Sequence, residues 1–314
     1  MANYNNPVQL SETRSPWISL VLLFVFVFLG MFVGQFIGLI ALLPWIEFSK
    51  ITQPEYLPSI LSDPDFKRPI MVMNACVALG AFVIAPLAYV FVVEKKGVKI
   101  FFNNNSIMGV PLILTVFIVV AFMSVNSIFI EWNANLVLPD FLKSFEIWAQ
   151  NMEQQAQELT KMMTRFDNFG DLLFALIIIG LIPAVGEELL FRGVVQNQLF
   201  AISKNIHVAI WLGAFIFSAF HLQFYGLVPR MFLGVLFGYL YYWSGNLWIP
   251  ILGHFINNGL TLLLLYLYQA HIIGYDLENT TSIPIATVIF SLVLGLILMI
   301  FFKRFFKTRI NRYG

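Results

Sequence analysis

Long apolar stretches alternate with short polar ones along the whole chain. Eight can be drawn, at roughly residues 17–43, 69–93, 107–130, 171–200, 206–225, 228–243, 247–269 and 283–302. A helix needs about 20 apolar residues to cross the hydrocarbon core of a bilayer. The pattern therefore predicts an all-α polytopic membrane protein of about eight transmembrane helices. The first run begins at Trp17 and stays uncharged to Ile46, which is too long for a signal-peptide core and reads as a retained helix. The sixth stretch falls short of a full crossing and follows the fifth after a turn containing Gly226, with Pro229 just beyond. This pair is expected to form a tight hairpin that does not reach the far surface. Irregular backbone at such depth requires surrounding protein or a water-filled cavity.

The longest polar stretch runs from Glu131 to Gly170. Within it Phe141, Phe145, Trp148, Met152, Leu159, Met162 and Phe166 recur at helical spacing among Gln, Glu and Asn. About residues 140–166 this predicts an amphipathic helix along the membrane interface; a solvated hairpin packed on the bundle is the alternative. The remaining organisation is one membrane domain over 17–302, with a core at about 171–270, an N-terminal tail 1–16 and a basic tail 303–314. No internal repeat or low-complexity tract interrupts it.

Composition agrees. Hydrophobic residues make up 59% of the chain and charged ones 11%, where a soluble domain carries about 25% charge. The mean hydropathy is +0.82. A net charge of +1 gives no reason to expect a nucleic-acid partner. The single cysteine, Cys76, lies in an apolar run and is expected to pack as a small hydrophobe. Basic residues concentrate after Phe302 (Lys303, Arg304, Lys307, Arg309, Arg312) and in the second loop (Lys95, Lys96, Lys99). With eight spans these fall on one side, which the positive-inside rule makes cytoplasmic together with the N-terminus. The first and third loops, with three basic residues each, weigh against that assignment.

Against this apolar background the segment LIPAVGEELLFRGVVQNQ stands out, with Glu187, Glu188 and Arg192 in the fourth span. An ionisable group at the centre of a membrane helix costs roughly 2.5–3.5 kcal/mol on insertion scales and usually marks a functional site. Glu188 and Arg192 are four residues apart on one helix face, where an ion pair is natural. Glu187 sits about 100° around the helix and is left available. Upstream, Pro183 lacks a backbone donor and Gly186 loosens the turn, which predicts a kink with a freed carbonyl near Ile179.

Two later spans contribute a histidine each. In FSAFHLQF, His221 follows Phe217 by four residues; in LGHFINNG, His254 precedes Asn258 by four. A lone histidine in an apolar helix is more often structural than catalytic, but here two histidines, an amide and a spare carboxylate converge on three helices. His207 and His271 are expected at the surface. A carboxylate in such a pocket suits a general base for water, which a histidine can help to hold and polarise. A second histidine and an amide can donate to the oxyanion of a tetrahedral intermediate. The same Glu187, His221 and His254 can alternatively ligate zinc or another divalent metal with one position open. Ser218 and Cys76 have no setting expected of a nucleophile.

Together EELLFR, FSAFH and HFINN resemble the three ordered motifs of the CAAX-protease and bacteriocin-processing (Abi) family of intramembrane proteases. That family includes type II CAAX prenyl endopeptidases and lysostaphin-resistance-like proteins. The resemblance covers about Gly180 to Gly259. It implies a cavity between the fourth, fifth and seventh spans. Glu187 is then the general base, with His221 sharing the water. His254 and Asn258 stabilise the oxyanion, and Glu188, Arg192 and Phe217 support the site. It also implies an endopeptidase acting on a membrane-anchored or lipidated substrate in a prokaryotic cytoplasmic membrane, with no cofactor required if Glu187 acts on water alone. A non-catalytic immunity or scaffold protein and a proton- or ion-coupled transporter are the competing readings.

Overall fold

The computed structural model describes residues 14–56, 59, 64–102, 109–274 and 283–313. Residues 1–13 of the expected N-terminal tail, 107–108 at the expected start of the third span and 314 lie outside them. The described residues are helical, apart from turns and one isolated bridge between Phe102 and Asn246. In chain order the helices are α1 (Pro16–Leu42), α2 (Lys67–Val93), α3 (Val110–Ala134), α4 (Lys143–Met163), α5 (Phe169–Ser203), α6 (Ile206–Ala219), α7 (Leu227–Ser244), α8 (Trp248–Gln269) and α9 (Ile285–Tyr313). Seven helical segments among the described residues are long and apolar enough to cross a membrane, and α6 is a shorter apolar helix beside them. The chain is a multi-pass membrane protein.

The helical hairpin is present, but its short arm is the first, not the second. Helix α6 has 14 residues, about 21 Å at 1.5 Å per residue, while α7 with its preceding turn Phe224–Gly226 reaches 21 residues. The chain leaves the helix at Phe220 and reverses through Leu222, which holds a left-handed φ of 53°. Phe220 to Tyr225 contain no glycine or proline, so the apolar pattern runs through the turn and hides it. Because α6 ends early, the turn that follows brings His221 against the Phe217 ring.

Helices α1 and α2 meet along glycines. Gly30, Gly34 and Gly38 lie on one face of α1 at four-residue spacing, and Gly80 faces them from α2. A Cβ on Gly34 would stand 2.4 Å from the carbonyl oxygen of Cys76, and one on Gly30 would stand 2.2 Å from that of Gly80. Such close backbone approach is how helices pack in lipid, where apolar area alone gives no drive to associate. Gly34→Ala should therefore lower stability by about 1–3 kcal/mol, read as a fall in the thermal unfolding midpoint in detergent, because the clashing atom is backbone and cannot rotate away.

Helix α5 is the spine of the core. Two π-helical turns, Leu176–Leu181 and Leu189–Val195, bracket the α-helical stretch Ile182–Glu188. Each inserts an extra residue and frees backbone groups that side chains must satisfy, and such bulges occur often at functional sites. Gly186 faces α2, where a Cβ would meet that of Phe82 at 2.8 Å, so the helix is seated with its acidic residues turned towards α7 and α8. Helix α4 is a single helix as the spacing predicts. It buries only Glu146 and Ala149, and leaves Phe145, Ile147 and Trp148 exposed. Glu146 accepts from Lys143 at 2.7 Å, which holds its carboxyl below the usual carboxylate range.

Candidate active site

Glu188 is fully buried, and Arg192 and His254 are 2% and 3% exposed. One oxygen of Glu188, Oε1, accepts from Arg192 Nη1 at 2.8 Å and from His254 Nδ1 at 2.8 Å. The i, i+4 pair expected from the spacing is thus formed, and it also holds a histidine from a helix 66 positions away. Arg192 Nη2 donates to the backbone oxygen of Gly234 on α7 at 3.0 Å. Its guanidinium lies over Phe217, 4.8 Å from the ring centroid, and near Phe237 at 5.6 Å. A buried charge with ion-pair, hydrogen-bond and ring partners avoids most of the cost of burying it alone.

Glu187 points elsewhere, as its position on the helix requires. Its side chain keeps 12% of its surface, and its Oε2 lies 3.8 Å from His254 Nε2. That gap is too long for a direct hydrogen bond. With Nδ1 donating to Glu188, the second ring nitrogen of His254 faces Glu187. The ring is stacked against Phe237 at 5.4 Å, with Phe217 edge-on at 6.3 Å, so its orientation is fixed by packing as well as by hydrogen bonding.

His221 stands in the turn after α6. Its Nδ1 donates to the Phe217 carbonyl at 3.1 Å, leaving Nε2 for other work. Phe217 contacts both histidine rings, at 5.3 Å for His221 and 6.3 Å for His254. Full-length spans would place the two histidines about 12 Å apart in depth; the early end of α6 brings them to one aromatic ring. Glu187 lies within electrostatic reach of His221 and of Arg230 at the start of α7.

Asn258 completes the set from α8. Its Nδ2 donates to the carbonyl of Ile179 at 3.3 Å, which is the backbone oxygen that Pro183 leaves without an N–H donor four residues on. Its Oδ1 accepts from Asn257 at 3.1 Å. One of its two amide hydrogens therefore serves the kink and one is left. Asn258→Ala should lower kcat about 100-fold and also destabilise the protein by about 1–3 kcal/mol through the orphaned carbonyl. Adding Pro183→Ala, which restores a donor, should recover stability without recovering rate. Recovery of both would make Asn258 purely structural.

Some contributors carried no signal in the sequence. Asn197 donates to the carbonyls of Arg192 and Gly193, at 3.1 and 2.7 Å, and Gln196 donates to Gly238 at 3.3 Å. The Asn197 bonds satisfy carbonyls of the second π-helical turn, and the Gln196 bond ties α5 to α7. Arg230 was detectable by the same rule that singled out Glu187, since it is a charge in an apolar segment.

Residues 169–260, which hold every one of the predicted site residues, match the family described as Rce1-like, type II CAAX prenyl endopeptidase. Over these residues the core of the chain resembles that family. The resemblance read from EELLFR, FSAFH and HFINN is borne out, and the matched region coincides with α5 to α8 around the Glu188 cluster. Over 85 residues the chain is 33% identical to the uncharacterized protein YpbD of Bacillus subtilis (strain 168). The shared stretch is 26% of this chain and 40% of YpbD, so the chain spans less than half the length of that relative. No solved structure matches. Among the described residues no three His, Cys, Asp or Glu side chains converge closely enough to hold a metal ion. Glu187, His221 and His254 are therefore not gathered as a metal-ligand set in this arrangement, although each histidine, with Nδ1 on a protein acceptor, keeps the Nε2 that a metal would use.

Proposed function

We propose that the chain is an intramembrane endopeptidase that hydrolyses a peptide bond of a membrane-anchored or lipidated substrate, using water activated by Glu187. The observation that carries this reading is the geometry around His254, with Nδ1 bound to Glu188 and Nε2 facing Glu187 at 3.8 Å. Glu188 is held by both Arg192 and His254, and Glu187 stands across from the same histidine. Such a paired set is far less costly to bury than any of its members alone.

The chemistry follows from which atoms are left over. A water between Glu187 and His221 gives one proton to the Glu187 carboxylate, while His221 Nε2 accepts a hydrogen bond from the other hydrogen. The water oxygen adds to the scissile carbonyl carbon. The oxyanion that forms accepts from the Nε2–H of His254 and from the unused amide hydrogen of Asn258. Glu187 then returns its proton to the amide nitrogen, the C–N bond breaks, and an amine and a carboxylic acid leave. Glu188 and Arg192 touch no substrate. They hold the His254 ring and its proton in place, as an acid does behind the histidine of a hydrolase triad.

Substrate trapping tests the reading. Glu187→Ala protein in native membranes should retain bound peptide that mass spectrometry identifies, and wild-type protein should release the same peptide cut. Proton-coupled flux in liposomes that requires Glu187 without peptide cleavage would assign the site to transport. An unchanged cellular phenotype on losing Glu187 would assign the chain to a scaffold role.

A further inference from the structure

The helix ends sort onto two faces of the bundle, and the two faces differ in charge. One carries the starts of α1, α3, α6 and α8 with the ends of α2, α5, α7 and α9. Contacts across it include Arg14 with Glu94, His207 with Tyr239, and Lys303 over Trp243. The other face carries the opposite ends, helix α4 and the turn with His221, tied by Lys67 to Asp171 and Gln269 to the Thr164 carbonyl. Among the described residues the first face holds eight Lys and Arg and one acid, Glu94. The second holds seven Lys and Arg and ten acids. Five of those seven are ion-paired: Lys50 with Glu47, Lys67 and Arg68 with Asp171, Lys143 with Glu146, and Arg165 with Asp167. The basic residues of the first and third sequence loops, which weighed against an orientation, are thus largely neutralised. The first face keeps its positive charge. Lys and Arg mark the cytoplasmic side, where anionic lipid attracts each of them by about 1 kcal/mol.

The catalytic groups lie open on the other side. From Glu188 to Leu199 every residue of α5 is buried, and this half of the helix leads to the basic face. Phe101 and Leu247, both fully buried, close the core there. The Leu247 N–H donates to the Phe101 carbonyl at 3.0 Å, beside the bridge between Phe102 and Asn246. In the half of α5 that leads to the acidic face, Leu173, Ile177 and Leu181 are exposed. Glu187 keeps part of its surface, and His221 and Leu222 are exposed on the turn. A peptide therefore reaches Glu187 and His221 from the acidic face and not through the packed half. We propose that the active site opens on the non-cytoplasmic side of the membrane and cuts polypeptides anchored in the outer leaflet. A reaction that carries the polypeptide across the membrane must then supply the substrate. The inference rests on the endopeptidase reading and adds to it the side on which the scissile bond is presented.

The test has two arms, both on the full-length chain with Cys76→Ala. In the first, Val137→Cys, Leu222→Cys and Lys99→Cys are made singly and treated with a membrane-impermeant maleimide in intact spheroplasts, unfolding midpoints confirming that each is folded. Val137 is 82% and Leu222 63% exposed, and Lys99 is exposed on the basic face. Val137→Cys and Leu222→Cys should label at once, and Lys99→Cys only after lysis. Labelling of Lys99→Cys from outside overturns the proposal, as does a Leu222→Cys that waits for lysis. In the second arm, single-copy proteoliposomes are sorted on biotin attached from outside to Val137→Cys or to Lys99→Cys. Each population then receives a dipalmitoylated peptide library, which stays in the outer leaflet, and products are read by mass spectrometry. Vesicles with Val137→Cys outward should cut the library, and those with Lys99→Cys outward should not. Equal cutting by both populations, cutting only by the second, or cutting only after detergent overturns the proposal. Labelling as expected with no cutting by either population or in detergent sinks the endopeptidase reading and leaves the outward opening standing.

Discussion

Glu187→Gln should lower kcat for peptide hydrolysis by about 1000-fold and leave KM and the unfolding midpoint at their wild-type values. The amide is nearly isosteric with the carboxylate, so the half-buried side chain and its packing are preserved. What is lost is the proton acceptor, and positioned general bases typically contribute 100- to 10,000-fold. The distance of 3.8 Å to His254 Nε2 means that no direct hydrogen bond holds the fold together at this point. A stability loss comparable to that of a buried ion pair would show that Glu187 is structural. A split in which KM rises and kcat is unchanged would show that it only binds substrate.

Arg192→Ala should have the largest effect on stability, a loss of about 3–5 kcal/mol, seen as a collapse of folded yield in detergent. Three things go at once: the counter-ion of the fully buried Glu188, the donor to the Gly234 carbonyl, and the cation between Phe217 and Phe237. Removing one partner of a buried pair leaves the other charged and unsolvated, which costs more than the pair contributes. The double change Glu188→Gln with Arg192→Met removes both charges and should recover most of the stability. It should not recover activity, because His254 then has no carboxylate behind its Nδ1. If the double variant were active, the role of Glu188 in holding the His254 proton would fall.

The parts of this site that were legible in the sequence are those fixed by local geometry. Four-residue spacing on a helix put Glu188 beside Arg192, His221 beside the Phe217 ring and His254 on the face of Asn258. The missing N–H of Pro183 pointed to a freed carbonyl at Ile179, and Asn258 is what satisfies it. The link between Glu188 and His254 was not legible, since it joins α5 to α8 and depends on how two π-helical turns rotate the acids. Those turns leave no pattern in hydrophobic periodicity. The short arm of the hairpin was assigned to the wrong helix for a related reason, because FHLQFY turns the chain without a breaker residue and reads as continued helix. Arg230 was passed over as one charge among apolar residues until the turn brought it beside His221.

We propose that peptide hydrolysis here runs on water activated by Glu187, with no metal in the reaction. The most direct measurement of this is cleavage of a lipidated peptide by purified enzyme in liposomes after exhaustive chelation, with products identified by mass spectrometry. Wild type should cut at its unchelated rate and Glu187→Gln about 1000-fold more slowly. Loss of wild-type cleavage on chelation, restored by added zinc, would contradict the claim, and so would cleavage by Glu187→Gln at the wild-type rate.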